Sequence, residues 1–200
     1  MKKTSDADRK QSSLKLHEAI RFAEEKHRTQ KRKGTEISYI IHPMEVLEIL
    51  VGECCSTEVA IAGVLHDVLE DTDTAPEEIK EHFGEKVLEL VQTHTEKKSD
   101  GSGERAWKIR KEEDLESLRA SGFEGKQIVL ADSISNLRSI AYDYSRIGEK
   151  LWERFNADKP DIAWYYSEKI DAFEPLMNDE NTKNDCEDLK ALFKMVFGEN

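Results

Sequence analysis

An all-α fold is the class that this 200-residue chain predicts, and three observations predict it. Apolar residues recur at the 3.6-residue spacing of amphipathic helices. Only four Pro and ten Gly interrupt the chain, which leaves long stretches free to be helical. Runs of sheet-forming residues are scarce. A hydrophobic fraction of 38% beside 36% charged residues suits one soluble helical domain spanning residues 1–200.

The elements follow in order. Residues 1–11 are polar and expected to fray. Leu14, Leu16, Ala19, Ile20 and Ala23 mark an amphipathic helix that runs through His27 into a basic cluster, Lys26, Arg28, Lys31, Arg32 and Lys33, and is stopped by Gly34. That cluster is either a solvated helix end, favoured there by the helix dipole, or a clamp for phosphate. Pro43 suits the first position of the next helix, so His42 stands at its entrance, where capping or packing competes with metal ligation. Ser56 or Thr57 caps a helix that runs to Asp71. Thr74 caps the following one, Glu77 completes a capping box, and Phe83-Gly84 ends it. The stretch from Thr95 to Glu104 has turn composition and is predicted to be a mobile loop. Helices are then predicted from Trp107 to about Ser121, from about Glu124 through Ala141, and over 151–155, 160–176 and 185–197. The aromatic residues of these last pieces read as core, with Tyr165 or Tyr166 available to line a pocket.

Two of these helices carry charge inside apolar runs. In Ala60-Ile-Ala-Gly-Val-Leu-His66-Asp67-Val-Leu-Glu70-Asp71, a spacing of about 100° per residue places Glu70 about 40°, Asp67 about 100° and Asp71 about 140° from His66. They share one arc, and the rest of the circumference is apolar. Buried carboxylates are costly unless paired or metal-bound, although an exposed charged face also fits these residues taken alone. Asp132 follows the apolar run from Ile128 to Ala131 and opens a polar stripe with Asn136, Ser139 and Asp143. Its charge calls for a metal, or for Arg138 or Arg146 as partner.

His42, the pair His66-Asp67, and Asp132 thus lie on three predicted helices. Two imidazoles and two carboxylates suit divalent Mn, Fe or Zn, with Co and Ni as further options, better than Ca or Mg. Glu70 and Asp71, one turn beyond, stand where a carboxylate orients or deprotonates a water beside such an ion. With 42 acidic against 30 basic residues the net charge is −12, which argues against binding to nucleic acid or an anionic membrane; a phosphate-bearing ligand needs a local basic patch. Cys54, Cys55 and Cys186 form no CxxC pair, which with the absence of a leader-like apolar run after Met1-Lys-Lys points to reduced thiols in the cytoplasm. No window approaches the roughly 20 apolar residues of a membrane span.

Several motifs in this order resemble the HD superfamily of metal-dependent phosphohydrolases, and within it the hydrolase domain of the RelA/SpoT family and its small stand-alone alarmone hydrolases. They are Lys26-His27-Arg28-x-Gln30-x-Arg32-Lys33-Gly34, Tyr39-Ile40-x-His42-Pro43, Leu65-His66-Asp67-Val68-x-Glu70-Asp71-Thr72-x-Thr74, Phe83-Gly84 and Leu130-Ala131-Asp132-x-x-x-Asn136-Leu137-Arg138. The resemblance covers about residues 16–145 and leaves 146–200 as a helical C-terminal extension. It implies an HD-domain bundle of roughly nine to ten helices and a Mn-dependent removal of the 3′-pyrophosphate of ppGpp and pppGpp. It also implies that His42, His66, Asp67 and Asp132 hold the metal, that Glu70 and Asp71 handle the attacking water, that Arg28 meets the nucleotide base, that Asn136 meets sugar or phosphates, and that Arg32 and Lys33 form the basic segment.

Two positions depart from the family pattern. Ser133 stands where the family commonly has Lys, and Ile41 where it has Asn. The nucleotidyl-transfer domain of the long RelA/SpoT enzymes has no counterpart after residue 145, so alarmone synthesis is not expected. The expected partner is a small nucleotide, and the chain could also assemble with copies of itself. Competing readings are a phosphohydrolase for another phosphorylated nucleotide or cofactor, and a non-catalytic nucleotide-binding module, against which the intact set of site residues argues.

Overall fold

Residues 6–93, 95 and 106–198 are described by the computed structural model, and among them the chain is helical almost throughout. The predicted loop between Thr95 and Glu104 lies, apart from Thr95, outside the described residues. The helices are α1 (Asp6–Lys26), α2 (Ile41–Gly52), α3 (Thr57–Leu65), α4 (Val68–Asp71), α5 (Pro76–Phe83), α6 (Glu85–Gln92), α7 (Trp107–Ala120), α8 (Phe123–Ile147), α9 (Lys159–Ala172) and α10 (Lys183–Phe197). Two 3₁₀ segments, Gly148–Arg154 and Glu174–Asn178, lie on either side of α9. An isolated bridge between Lys31 and Ser38 is the only β contact among the described residues. The all-α expectation holds, and no described helix is long and apolar enough to cross a membrane.

The most apolar stretch lies at the centre. Every residue of α3 from Val59 to Leu65 is buried, and α1, α2, α6 and α8 pack around it. Leu50, Leu65, Ile128, Leu130, Ile134 and Leu137 are fully buried, each worth about 1.5–3 kcal/mol relative to exposure. Gly63 lets α2 approach α3 closely, since a Cβ there would run into Leu50. On the far side α10 lies against α8 and α9, and α9 against α7. The C-terminal segment therefore covers the helix that carries Asp132.

Several boundaries differ from the expectations, each for a local reason. Residues 6–11 belong to α1. That helix ends at Lys26 rather than at Gly34; the basic cluster continues as a turn and loop in which Arg32 N–H bonds Ile37 O and Tyr39 N–H bonds Gln30 O. Gly34, at φ 72°, makes the turn of that loop, and a Cβ on it would also meet Arg154 Cδ at 2.7 Å. Ser56 caps α3 as expected, its hydroxyl accepting from Val59 N–H at 3.3 Å. The helix predicted to reach Asp71 instead breaks at His66-Asp67: ψ is −4° at Asp67, and Glu70 and Asp71 N–H restart the ladder on Asp67 O. Ala75 rather than Thr74 precedes α5, because Pro76 takes the first position, and Glu78 in place of Glu77 accepts from Ala75 N–H at 3.0 Å. The helix predicted over 160–176 stops at Ala172, with Pro175 in the 3₁₀ segment that follows.

One buried acid ties three of these helices together. Glu53, at the end of α2, is 1% exposed and accepts from Gln127 of α8 at 3.3 Å. Burial, reinforced by the charge of Asp185 on α10, pushes its carboxyl up to about 8. A carboxyl raised above its unfolded value of about 4.5 stabilises the fold at low pH and loses that contribution as pH rises toward 8. Glu53→Gln is expected to leave stability within about 1 kcal/mol of the parent at pH 5 and to raise it by about 2–4 kcal/mol at pH 9. Urea unfolding at the two pH values checks this.

Candidate metal centre

Three elements deliver four donor atoms to one point. The first turn of α2 supplies His42, the break between α3 and α4 supplies His66 and Asp67, and the middle of α8 supplies Asp132. His42 Nε2 and His66 Nε2 face each other at 3.2 Å. Asp67 Oδ2 lies 2.9 Å from His66 Nε2 and 3.5 Å from His42 Nε2. Asp132 Oδ1 lies 3.2 Å from His42 Nε2 and 3.7 Å from His66 Nε2. Atoms of His42, His66 and Asp67 fall within 4.8 Å of one another, and Asp132 closes the group through the two imidazoles. Neither Arg138 nor Arg146 pairs with Asp132: Arg138 reaches Glu45 at 3.5 Å and Arg146 stacks on Tyr142.

The outer partners fix what these imidazoles present. His66 Nδ1 lies 2.8 Å from Gly63 O, which only accepts, so Nδ1 carries the proton. His42 Nδ1 lies 2.8 Å from Ser135 Oγ, whose own hydroxyl donates to Glu45 at 2.7 Å, so this Nδ1 is a donor too. Each ring therefore turns its Nε2 toward the other and toward two carboxylates, with Nδ1 as the outward donor. Tyr39 O–H donates to Asp67, and burial together with that carboxylate's charge pushes the phenol pKa upward, keeping it a donor. Burial alone would raise both carboxyls, but the facing imidazoles hold Asp67 and Asp132 well below the usual range; burial would likewise depress His66, yet the two carboxylates hold it well above its own. Two imidazoles and two carboxylates brought this close form a donor set that could hold a cation, and imidazoles oriented through Nδ1 are the usual arrangement behind a divalent metal. The donor set fits that ion.

The centre opens into a cavity of about 530 Å³. Glu70, Asp71, Arg32, Lys33 and Asn136 all line it, as do Ser139 and Asp143 of the predicted stripe. Asp71 accepts from Gln30 Nε2 at 2.9 Å, and Gln30 Oε1 in turn faces His27 Nδ1 at 2.7 Å. Arg32 donates to Asn136 at 3.0 Å, and Asn136 donates to Asp132 Oδ1 at 2.5 Å. Arg28 is not brought to the cavity: its side chain is 65% exposed and pairs with Glu24. Ile41 lies on the surface, 56% exposed.

Sequence reasoning left several of these partners without a role. Ser135 and Glu45 each follow a candidate ligand by three residues, Asp132 and His42, which on a helix puts them on the same face. The C-terminal segment contributes Arg154, Phe155, Tyr165, Tyr166 and Lys169 to the cavity wall, with Lys33 over the ring of Phe155.

A family model for the HD domain matches residues 19–162. Over 132 residues the chain is 39% identical to guanosine-3′,5′-bis(diphosphate) 3′-pyrophosphohydrolase MESH1 of Danio rerio, covering 64% of this chain and 71% of that protein. It is 38% identical over 133 residues to the guanosine-3′,5′-bis(diphosphate) 3′-pyrophosphohydrolase of Aquifex aeolicus, covering 65% of this chain but only 18% of that much longer protein. Among solved structures, one described as a metazoan ortholog of SpoT that hydrolyzes ppGpp superposes with a TM-score of 0.73 at 27% identity, covering 92% of this chain and 97% of its own.

Proposed function

This chain belongs to the HD domain family, and on that premise we propose that it is a metal-dependent hydrolase that removes the 3′-pyrophosphate of guanosine 3′,5′-bis(diphosphate). The observation that carries this is the convergence of His42, His66, Asp67 and Asp132 at the floor of a cavity whose wall also holds Arg32, Lys33, Glu70 and Asp71. The Danio rerio and Aquifex aeolicus relatives are described as guanosine-3′,5′-bis(diphosphate) 3′-pyrophosphohydrolases, and the protein of the similar solved structure as hydrolyzing ppGpp. His42, His66, Asp67 and Asp132 would hold the metal, and two nitrogen with two oxygen donors suit Mn. When bound, such an ion supplies a Lewis acid that acidifies water and polarises a phosphoryl oxygen.

The chain's own residues do the rest. Hydrolysis adds one water across the bond between the 3′ oxygen and its phosphorus and yields pyrophosphate and GDP. Glu70 and Asp71 are the carboxylates placed to orient that water and take its proton, with Asp71 steadied by Gln30 and His27. Arg32 and Lys33, on the loop turned by Gly34, offset charge on the pyrophosphate. Asn136 bridges Arg32 to Asp132 and so links the phosphate side of the cavity to the metal side. We read the C-terminal helices as part of the same domain, because α9 lines the cavity and α10 packs on α8 and α9.

The test is product analysis by ion-exchange chromatography after incubation with Mn and, separately, ppGpp, GTP and NADPH. Pyrophosphate with GDP from ppGpp is the expected outcome. Turnover of another member of the panel with ppGpp left intact reassigns the substrate, and binding without turnover of any of them overturns the enzymatic reading.

A further inference from the structure

Lys169 is a buried ammonium that the reaction as described does not use. It lies on α9 beyond residue 162, outside the family match. Ile162, Tyr165, Tyr166 and Lys169 share the buried stripe of that helix, and Lys169 is only 5% exposed. Its Nζ lies 3.2 Å from Ser133 Oγ and 3.8 Å from Asp132 Oδ2, over the ring of Tyr165 at 4.7 Å, and the side chain lines the cavity of the metal centre.

These contacts leave the ammonium short of an anion. Of its three N–H donors one is taken by Ser133, and 3.8 Å to Asp132 is a charge contact longer than a hydrogen bond. The other oxygen of Asp132 faces the imidazoles. With a divalent cation sharing the charge of Asp132, Lys169 would keep a weakened contact at 3.8 Å to Oδ2, the neutral Ser133 hydroxyl and the rings of Tyr165 and Tyr166. A buried charge held that way calls for an opposite charge, and the cavity beside it is where one can enter. Ser133 makes room: it is fully buried, and its short side chain ends at the ammonium.

We infer that Lys169 is a substrate-binding residue, which meets an anionic phosphoryl oxygen of the substrate beside the metal centre and supplies from the C-terminal segment a cation that α8 does not carry at Ser133. The inference rests on the reading of a phosphate-bearing substrate. Its test compares Lys169→Met, which keeps length without charge, and Lys169→Arg, which keeps charge, in the Mn-loaded protein. Lys169→Met is expected to raise KM for ppGpp about tenfold or more with a smaller change in kcat. Binding of trace radiolabelled pyrophosphate, measured by equilibrium dialysis with Mn in excess, should weaken to a similar degree, and Lys169→Arg should recover most of both. Mn affinity by calorimetry is expected to stay within about threefold across the set. If Lys169→Met does not fold, Lys169→Gln carries the same comparison. Unchanged KM and pyrophosphate affinity, or a loss that Arg does not recover, overturns the role of Lys169. If the parent protein does not hydrolyse ppGpp, the substrate reading fails, while pyrophosphate binding still decides on Lys169.

Discussion

Asp132→Ala is expected to reduce metal-dependent hydrolysis by at least about 1,000-fold while the helical fold persists. Asp132 is the one carboxylate of the candidate centre that comes from α8, so its loss removes both a donor atom and the link between the two sides of the cavity. Outer partners of a metal site typically cost 10–100-fold in affinity when changed, and a direct ligand should cost no less than about 100-fold. Two secondary effects are predictable. Lys169 and Asn136 lose their charged neighbour, so thermal stability should fall by about 1–3 kcal/mol. Asp132→Asn keeps the shape and the contact with Asn136, so it should recover stability but not metal binding. Calorimetric Mn titration, far-UV circular dichroism and turnover, taken on both variants, check all three. Full activity in Asp132→Ala would remove it from the ligand set.

The centre could be read from the sequence because its residues violate the pattern around them. His66, Asp67 and Asp132 interrupt apolar runs, and a carboxylate in such a place is costly without a partner, so periodicity marks them as candidates while an exposed charged face or an arginine partner still fits each one taken alone. His42 is legible only through its place at a helix entrance ahead of the His66 helix and through the motif Tyr39-Ile40-x-His42-Pro43. Helix breaks are harder. His66 keeps helical dihedrals, and a modest shift at Asp67, to φ −94° and ψ −4°, interrupts the ladder, which no residue type announces. The basic cluster misled for a different reason: lysines and arginines suit a helix end by the dipole, yet here the chain had already left the helix at Lys26, carrying Arg32 and Lys33 to the cavity and leaving Arg28 on Glu24. Lys169 resembles a surface charge in Tyr-Tyr-Ser-Glu-Lys. Its position seven residues after Ile162 was the available signal, since that interval returns to the same helix face.

Glu70→Gln should separate chemistry from binding. Glu70 sits on the short α4 that restarts after Asp67, and it lines the cavity beside Asp67 and Asp132 without being one of the four converging donors. A carboxylate in that position that takes a proton from water contributes about 10²–10⁴ in rate, and the amide cannot take one. The expected result is therefore a fall in kcat of that size with Mn affinity and KM within about threefold of the parent. Asp71→Asn makes the informative contrast. Asp71 already accepts from Gln30, and an Asn oxygen can keep that bond, so a role limited to holding the loop against α4 predicts a small loss. A loss as large as that of Glu70→Gln would make the two acids a single proton-accepting unit, and single-turnover kinetics of the double variant would then show no further fall. An unchanged kcat in Glu70→Gln would move proton transfer away from Glu70 and leave Asp71, held by Gln30 and His27, as the acceptor.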